Sequence, residues 1–452
     1  RGLVDVYKRQ YEQSLEHFLK TFQKSKEMSD EAAKYIPGSY SRRSFNYGPH
    51  AIYVNNAKGA YVYTVDGKKL LDFNNNFTVS VLGYQNEAVD QALIETMKKG
   101  FSIGNPTEEE GELARMLCER IDSFEKVKFF CSASEACVGA LRIARGYTGK
   151  TKVAKMEGGY HGFLDDFSFS AHPNASKADD DLEHIVPQPE SAGIPANRAE
   201  DVVLLTQNNI EVSEKLIREH ADELACVVME LQSGSGGIVT LDKAFVKRIR
   251  EITKELGIVL IFDETITIRA YKGGLQSWYG VKPDLTISGK TLGGGIPLGV
   301  VGGSNEVMDV VTKDIVQMSG THHGHRLACA AGIAILKQLD DVAYKRLNSM
   351  GERIKNELNI WAKEKKIPFI VFGESSVLGY AFTREIGQTI RTHRDYWLKS
   401  DAQKMQTFAL EIAVRGFLPV HRGQLGLTLP MADQDITDFI ETTKDIVSEM
   451  YA

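Results

Sequence analysis

The middle of the chain alternates short β-branched and aromatic runs with helical stretches, and this rhythm constrains the fold more than any other feature. The predicted strands are residues 127–131, 153–156, 225–229, 258–262 and 285–288, and the predicted helices are 134–147, 243–256 and 326–339. Apolar strands separated by helices are typical of a parallel sheet covered on both faces. We therefore predict an α/β fold with a mostly parallel central sheet and helices on both faces.

The segments on either side of this middle follow other patterns. Residues 11–35 predict an amphipathic helix, and residues 51–74 alternate as a small antiparallel meander does. After about residue 341 come a long charged helix, strand-like runs at 369–372 and 378–383, and two more amphipathic helices. This carboxyl-terminal pattern predicts a smaller α+β domain.

The predicted domain boundaries follow from these changes of pattern. We expect an amino-terminal arm and meander at 1–84, a large α/β domain at 85–341 and a carboxyl-terminal small domain at 342–452, with the arm and meander belonging to the small domain. Residues 1–10 lack an initiating methionine and a convincing pattern, so we expect a truncated or mis-assembled start and leave them out of the fold prediction.

Composition limits the partners and the location. The 452 residues carry 54 Lys and Arg against 60 Asp and Glu, a formal net charge of −6. Nucleic-acid binding needs a surplus of positive charge on one face, so we expect no such partner. The five cysteines show no CxxC spacing, and no run approaches the roughly 18 apolar residues of a membrane span. We expect a cytoplasmic protein without a membrane partner.

The end of the first predicted strand suits an anion. Ser132, Ala133 and Ser134 follow residues 127–131 and open a helix. Free backbone N–H groups, hydroxyls and the positive end of the helix dipole can together hold a phosphate dianion. An ordinary N-cap explains the same residues, because Ser followed by Glu is common capping chemistry.

Two further strand ends carry an acid and a lysine. Asp263 follows residues 258–262 and Lys290 follows residues 285–288. A salt-bridged core carboxylate explains Asp263 equally well. A lysine in apolar surroundings has a lowered pKa and can serve as an amine nucleophile. The P-loop alternative fails because Asp284 stands where the first glycine is required, and no GxGxxG register fits this glycine-rich stretch.

A phosphate cup, a strand-end aspartate and a strand-end lysine are together what pyridoxal phosphate requires. The carboxyl ends of strands in an open parallel sheet are where ligands bind. At that edge a lysine can form the Schiff base, and an aspartate can keep the pyridine nitrogen protonated. The spacing of the three features in one sheet therefore predicts this cofactor.

The chain resembles the class III aminotransferases, which are fold-type-I pyridoxal-phosphate enzymes, within the group of glutamate-1-semialdehyde aminomutase and β-amino-acid aminotransferases. The resemblance runs from about residue 35 to the carboxyl end. Its most specific stretches are residues 130–150, 155–162, 261–269, 283–299 and 319–332.

The resemblance implies roles for the strand-end residues. Lys290 would be the Schiff-base lysine and the acid and base that moves the proton, and Asp263 would pair with the pyridinium nitrogen. The phosphate would be held where the family has Ser–Gly–Thr, which is here Ser132, Ala133 and Ser134.

The resemblance also implies further cofactor contacts. Tyr160, in the triplet that includes His161, would stack on the ring, and Glu230 would lie near the cofactor. Thr321, after Gly320, matches the threonine that reaches the phosphate of the neighbouring subunit. This match implies a homodimer with shared active sites.

Two departures from the family pattern stand out. Thr265 replaces the usual valine that packs under the ring, and the hydroxyl could change the reaction preference. After Thr321 the family often has Ser–Gly–Asn–Pro, whereas this chain has His322, His323 and His325 around a glycine. No Cys, His or carboxylate partner stands at ligand spacing on a helix, so we expect a polar lining of the dimer interface and no metal.

Two arginines are the candidates for substrate binding. Arg42 falls where related enzymes place an arginine that clamps a carboxylate, although a solvent-facing loop arginine is the alternative, and more so for Arg43. Arg422 stands where a second, movable arginine could admit either a dicarboxylate or an aromatic group. The stretch 263–276 resembles the β-phenylalanine-type aminotransferases more than the aminomutase.

The resulting functional hypothesis is a ping-pong aminotransferase. An amino acid, in particular a β-amino acid with an apolar or aromatic side chain, would give its amino group to the cofactor, and a 2-oxo acid such as 2-oxoglutarate or pyruvate would take it. The alternative is an intramolecular amino transfer of the glutamate-1-semialdehyde 2,1-aminomutase kind. A third alternative is a catalytically silent cofactor-binding protein, against which the intact Lys290 and Asp263 argue.

Overall fold

The computed structural model describes residues 2–178, 180–235 and 237–452. The helices are α1 Gly2–Thr21, α2 Gln23–Ala32, α3 Glu87–Lys98, α4 Glu108–Arg120, α5 Ala133–Thr148, α6 Ile210–Glu219, α7 Lys243–Leu256, α8 Leu275–Tyr279, α9 Asn305–Thr312, α10 Arg326–Gln338, α11 Asp341–Lys365, α12 His393–Lys399, α13 Ala402–Val414 and α14 Asp433–Met450. The strands are β1 Val54–Lys58, β2 Tyr61–Thr64, β3 Lys69–Asp72, β4 Lys126–Phe130, β5 Lys152–Met156, β6 Val202–Leu205, β7 Leu224–Met229, β8 Val259–Asp263, β9 Leu285–Gly289, β10 Gly299–Gly303, β11 Phe369–Phe372, β12 Val377–Phe382, β13 Phe417–Leu418 and β14 Gln424–Gly426.

The chain divides into two compact units. The first comprises the described parts of Arg1–Asn86, Arg346–Thr389 and Lys399–Ala452. The second comprises the described parts of Glu87–Lys345 and Ile390–Leu398. Among the described residues, no helix is long and apolar enough to cross a bilayer.

The second unit contains a seven-stranded sheet in the order β4-β10-β9-β8-β7-β5-β6. Strands β5 to β9 pair in parallel, while β10 runs antiparallel to both β4 and β9. The prediction of a mostly parallel central sheet in an α/β fold is therefore confirmed. Every residue of β7, β8 and β9 is buried, as strands with both faces covered must be.

The alternation along β8 shows how helices cover both faces of this sheet. Ile261 packs in one apolar cluster with Ile143 of α5. Leu260 and Phe262 point to the other face and pack in a second cluster with Phe245 of α7. All three strand side chains are fully buried, so truncating one to alanine would cost about 2–5 kcal/mol.

Strand β10 was missed in the sequence because three of its residues are glycines, which are depleted in strands. The structure explains them by close approach. A Cβ at Gly299 would lie 1.9 Å from the carbonyl oxygen of Ser132, and one at Gly302 would lie 2.5 Å from the ring of Phe124. Gly299 therefore allows β10 to pass directly beside the start of α5, and Gly302 allows it to pass beside Phe124.

The first unit contains two smaller sheets, β1-β2-β3-β13 and β11-β12-β14. The predicted meander corresponds to the antiparallel strands β1 to β3. The predicted helix at 11–35 is instead two helices that meet at Phe22, where the backbone leaves helical geometry with φ −114° and ψ 40°. Phe22 is fully buried in the cluster that contains Phe18, Val62 and Leu410, and α1 includes residues 2–10.

Candidate active site

The strand register brings the predicted strand-end residues to one edge of the large sheet. Gly289 of β9 pairs with Gly299 of β10, which pairs with Phe130 of β4. Asp263 of β8 pairs with Ile287 of β9. Strands β4, β8 and β9 run in the same direction, so the segments that follow them leave the sheet at a common edge. This edge therefore carries the three predicted strand-end residues, Ser132 after β4, Asp263 at the end of β8 and Lys290 after β9.

The start of α5 forms a cup of backbone N–H groups. Ser132 is the N-cap, and its hydroxyl accepts a hydrogen bond from the Glu135 N–H at 3.2 Å. Glu135 Oε2 accepts a hydrogen bond from the backbone N–H of Cys131, the residue before the N-cap, at 3.1 Å. The Ser132 hydroxyl caps the N–H of Glu135 only. The N–H groups of the two preceding residues have no carbonyl acceptor within the helix. These N–H groups, in Ala133 and Ser134, suit an anion.

A glycine brings a second segment against this cup. Gly162 has φ +85°, and a Cβ at this position would lie 2.5 Å from Ser134 Oγ and 2.9 Å from Ser134 Cα. The turn that carries Tyr160 and His161 therefore packs directly on the first turn of α5. Any larger residue at 162 would collide with Ser134.

Asp263 is a buried carboxylate surrounded by donors. Its Oδ2 lies 2.8 Å from His161 Nδ1 and 3.9 Å from the Cys137 thiol, and its Oδ1 accepts from the Thr265 N–H at 3.0 Å and the Thr265 hydroxyl at 2.5 Å. Burial lowers the pKa of His161, so its imidazole is neutral and donates through Nδ1. Among the described residues, Asp263 thus has no permanently charged cation within ion-pair distance.

This arrangement fits a cationic aromatic ring. A buried carboxylate is costly unless a cation meets it. A protonated ring nitrogen at Asp263 would supply that cation. His161 Nε2 is also buried without a hydrogen-bond partner in the described structure. The site therefore has the donors and the charge that a phosphorylated pyridine aldehyde would complete.

A second buried acid lies beside Asp263. Glu230 accepts hydrogen bonds from the Tyr160 N–H at 2.9 Å and the Gly234 N–H at 3.1 Å. Burial, and then the charge of Asp263, raise the pKa of Glu230 to about 8. Glu230 is accordingly protonated over most of the neutral range. This protonation removes the repulsion that a second carboxylate would impose on Asp263.

Lys290 follows β9 with unusual backbone geometry. Its φ angle is +47°, in the left-handed region that a residue with a Cβ rarely adopts. It begins the 3₁₀ helix Lys290–Gly293 immediately after the strand, and its side chain is partly buried. Strain of about 1–3 kcal/mol at a single residue is a feature of functional sites.

The predicted substrate arginines lie together in the first unit. The Arg42 guanidinium lies 4.5 Å from the Phe45 ring centroid and 5.0 Å from that of Phe77, and the Arg422 guanidinium lies 5.6 Å from Phe77. Arg42 Nη1 also donates to Asn76 Oδ1 at 2.7 Å. Two arginines thus share one aromatic ring, which places their charges beside an apolar surface.

Sequence reasoning missed Phe77 and the strained segment that carries it. Residues 75–78 have φ angles of 38°, 59°, 51° and 76°. Asn75 and Asn76 tolerate the left-handed region, but this conformation raises the conformational free energy of Phe77 and Thr78 by about 1–2 kcal/mol each. The pair of asparagines is a weak turn signal, and no periodic pattern marks the phenylalanine. This strained backbone places the Phe77 ring beside the guanidinium groups of both arginines.

The loop before α10 holds the remaining predicted contacts. Gly320 and Thr321 are exposed, whereas His323 is partly buried and its Nε2 lies 3.3 Å from Glu135 Oε1. His325 caps α10, because its Nδ1 accepts a hydrogen bond from the Leu327 N–H at 3.1 Å. Glu135 lies far from His323 in the chain, so residue spacing could not reveal this contact.

Known proteins with similar sequences and structures define the family. The Aminotransferase class-III family model matches residues 43–392. Glutamate-1-semialdehyde 2,1-aminomutase 2 of Lachnoclostridium phytofermentans is 35% identical over 78% of this chain and 83% of that protein. Glutamate-1-semialdehyde 2,1-aminomutase of Bacillus subtilis is 31% identical over 96% of this chain and 99% of that protein.

Solved structures of transaminases share the fold of this chain. An omega-transaminase from Sphaerobacter thermophilus is 30% identical, with a TM-score of 0.90 over 95% of this chain and 98% of that chain. A beta-phenylalanine aminotransferase from Variovorax paradoxus is 27% identical, with a TM-score of 0.89 over 98% of both chains. The fold is that of the fold-type-I transferases that depend on pyridoxal phosphate. Within that class, the chain belongs to the class-III aminotransferase family.

Proposed function

We propose that the protein is an aminotransferase that takes the amino group of an amino acid with an apolar or aromatic side chain, in particular a β-amino acid, and passes it to a 2-oxo acid such as 2-oxoglutarate or pyruvate. The observation that carries the proposal is the pair Arg42 and Arg422 on the ring of Phe77. Paired arginines beside an aromatic surface suit substrates that combine a carboxylate with an apolar group.

The cofactor is pyridoxal 5′-phosphate. The family depends on it, and a solved structure described as a transaminase with PLP bound is 27% identical to this chain, with a TM-score of 0.85. In our proposal the phosphate is held by Ser132, Ala133 and Ser134. The ring is held by a second group of residues, Tyr160, His161, Glu230 and Asp263, while Thr265 packs under the ring with its hydroxyl bound to Asp263. When bound, the cofactor supplies an electron sink for the carbon that loses its proton.

The chain's own residues position that chemistry. Asp263 would hold the proton on the ring nitrogen, and the neutral imidazole of His161 fixes the orientation of the Asp263 carboxylate through the 2.8 Å hydrogen bond. Lys290 would supply the amine that binds the cofactor and would serve as the acid and base for the proton on the amine carbon of the substrate. Protonated Glu230 anchors the backbone of Tyr160 without adding negative charge beside Asp263.

Substrate binding is assigned to the first unit. Arg42 would bind the α- or β-carboxylate through two parallel N–H···O bonds. Arg422 would bind the second carboxylate of 2-oxoglutarate and move aside for an aromatic side chain. Support comes from the beta-phenylalanine aminotransferase of Variovorax paradoxus, whose structure matches over 98% of this chain.

The second candidate is an intramolecular amino transfer of the glutamate-1-semialdehyde aminomutase kind. It is favoured by relatives of that name, such as the one from Desulfotalea psychrophila, which is 37% identical over 80% of this chain and 83% of that protein. The two candidates differ in one requirement, because a mutase converts its substrate without an added 2-oxo acid.

We also propose a homodimer with shared active sites. The exposed Gly320 and Thr321 would then reach the phosphate bound by a second copy. Light scattering on the purified protein should give the mass of two chains, and Thr321→Ala should weaken cofactor binding. A monomer that binds the cofactor normally would contradict this part of the proposal.

A donor panel tests the proposed function. The purified enzyme is given α-amino acids, β-amino acids, simple amines and glutamate 1-semialdehyde, each with and without 2-oxoglutarate or pyruvate. We expect turnover of β-amino acids that depends on the 2-oxo acid. Turnover of glutamate 1-semialdehyde alone, with no reaction of the amino acids, would establish the mutase instead.

A pair of neighbouring arginines sharpens this test. Removing one partner of a hydrogen-bonded charge pair costs about 2–5 kcal/mol, so Arg42→Ala should lower kcat/KM for amino acids by about 30-fold or more. Simple amines should be affected much less. Arg43→Ala is the control, because Arg43 is exposed as Arg42 is but is assigned no carboxylate, so both substrate classes should be unchanged. Equal losses on amino acids and amines would refute the carboxylate role of Arg42.

A further inference from the structure

Three potential metal ligands converge beside the start of α5. The Cys131 Sγ, a Glu135 carboxylate oxygen and a His323 ring nitrogen all lie within 4.8 Å of one another. The residues come from the end of β4, the first turn of α5 and the loop before α10. Cys131 and His323 are partly buried, so the cluster is sheltered but reachable from solvent.

The donor set matches one class of metal. A thiolate, an imidazole and a carboxylate are the three ligand types that bind Zn²⁺, at about 2.0–2.3 Å each. Mg²⁺ and Ca²⁺ prefer oxygen ligands alone and are disfavoured by the sulfur. The thiolate and the carboxylate together balance the charge of a divalent ion. This balance offsets the unfavourable position of a cation near the positive end of a helix.

Neighbouring groups already orient the ligands. Glu135 Oε2 is engaged by the Cys131 N–H at 3.1 Å and the Ser132 hydroxyl at 3.3 Å, which leaves Oε1 directed at His323 Nε2, 3.3 Å away. The capping role of Glu135 and a metal bond would therefore use different oxygens. Hydrogen bonds of this kind orient the side chains that bind a metal directly.

Two contacts also position His323. Its ring packs edge-on against the Phe130 ring at a centroid distance of 5.1 Å, and its backbone N–H donates to the Gly320 carbonyl oxygen at 3.1 Å. A Cβ at Gly320 would lie 2.4 Å from His323 Nε2. The missing side chain at Gly320 thus leaves room beside this nitrogen, which contacts Glu135 Oε1 on its other side.

Contrary to the expectation of no metal from residue spacing, we propose that Cys131, Glu135 and His323 bind one zinc ion, with a fourth position open to water or another small ligand. The site lies at the rim of the anion cup formed by Ala133 and Ser134. Its ligands are distinct from the residues assigned to the cofactor and the substrate. The proposal therefore stands or fails independently of the proposed aminotransferase activity.

Zinc titration of the full-length, cofactor-loaded protein tests the proposal. After treatment with a strong chelator and its removal, Zn²⁺ is added in competition with a chromophoric chelator. We expect the protein to take up one equivalent per chain. Cys131→Ser, Glu135→Gln and His323→Gln should each lower the affinity by about tenfold or more. Cys118→Ser and His322→Gln, which remove the same side-chain types outside the cluster, should bind as the unmodified protein does.

Cobalt provides a second measurement that does not depend on variants. Co²⁺ bound in place of zinc should produce a thiolate-to-metal charge-transfer band in the near ultraviolet, which Cys131→Ser should remove and His322→Gln should keep. The proposal is overturned if the unmodified protein takes up no zinc or shows no such band. It is equally overturned if the cluster variants bind zinc as tightly as the controls.

Discussion

The hydroxyl of Thr265 competes with the cofactor for Asp263, and its removal should tighten cofactor binding. A carboxylate offers about four acceptor positions. In Asp263 these face the His161 ring, the Cys137 thiol and both the N–H and the hydroxyl of Thr265. A protonated ring nitrogen must therefore displace one of these donors. Thr265→Val keeps the shape of the side chain and the backbone donor but removes the hydroxyl.

The expected size follows from the 2.5 Å hydrogen bond between the Thr265 hydroxyl and Asp263 Oδ1. A hydrogen bond to a charged group contributes about 1.5–3 kcal/mol. Since each 1.4 kcal/mol is a factor of ten, Thr265→Val should bind pyridoxal phosphate about 10-fold to 150-fold more tightly. The assay titrates cofactor-free protein with pyridoxal phosphate and follows the visible absorption.

The matched control lies two residues further along. The Thr267 hydroxyl donates to Glu264 Oε1 at 2.9 Å, so Thr267→Val removes the same kind of bond from a different buried carboxylate. We expect Thr267→Val to leave the cofactor affinity within about twofold. Unchanged or weaker binding by Thr265→Val, or an equal gain in Thr267→Val, would refute the competition at Asp263.

Three further predictions address the lysine, a buried ion pair and a buried acid. Lys290→Ala should abolish turnover while the cofactor still binds, as measured by activity and visible absorption. Arg394→Ala should destabilise the second unit by about 3–5 kcal/mol in urea unfolding, because it removes the guanidinium that pairs with the buried Glu157 carboxylate. Arg394 Nε and Nη2 donate to Glu157 Oε1 and Oε2 at 2.7 and 3.2 Å. The exposed pair Arg391 with Asp242 is its control and should cost at most about 1 kcal/mol on Arg391→Ala. Since burial and Asp263 raise the pKa of Glu230 from 4.5 to about 8, its contribution to stability should be fully present below pH 4.5 and lost as the pH rises towards 8, unlike in Glu230→Gln.

Each of these predictions has a clear contrary result. Full turnover by Lys290→Ala would show that the lysine is misassigned. Equal urea midpoints for Arg394→Ala and Arg391→Ala would mean that the buried pair with Glu157 adds no stability. A constant stability difference between the unmodified protein and Glu230→Gln from pH 4.5 to 8 would show that Glu230 titrates as an exposed acid does.

Much of the fold was predictable because burial on both faces forces a strand to be apolar. Helix α7, Lys243–Leu256, matches its prediction residue for residue, since its apolar stripe has the helical period and a glycine ends it. Strand β10 was not predictable, because its glycines answer to the approach of Ser132 and Phe124 rather than to any periodic pattern. The break at Phe22 likewise reflects packing against distant residues.

The candidate site divides in the same way. Ser132, Asp263 and Lys290 could be singled out because parallel strands place their carboxyl ends together. Their assigned roles stay predictions. Phe77 and the contact of His323 with Glu135 could not be foreseen, since a strained turn and a link between residues 188 positions apart leave no local signal.

The two half-reactions test the central claim most directly. An amino donor, added alone to the cofactor-loaded protein, should change the visible absorption in a stoichiometric amount and release the corresponding 2-oxo or 3-oxo acid. Subsequent addition of 2-oxoglutarate or pyruvate alone should restore the original spectrum and release an amino acid. A spectrum that no amino acid changes would contradict the account, as would a protein that remains colourless after pyridoxal phosphate is added.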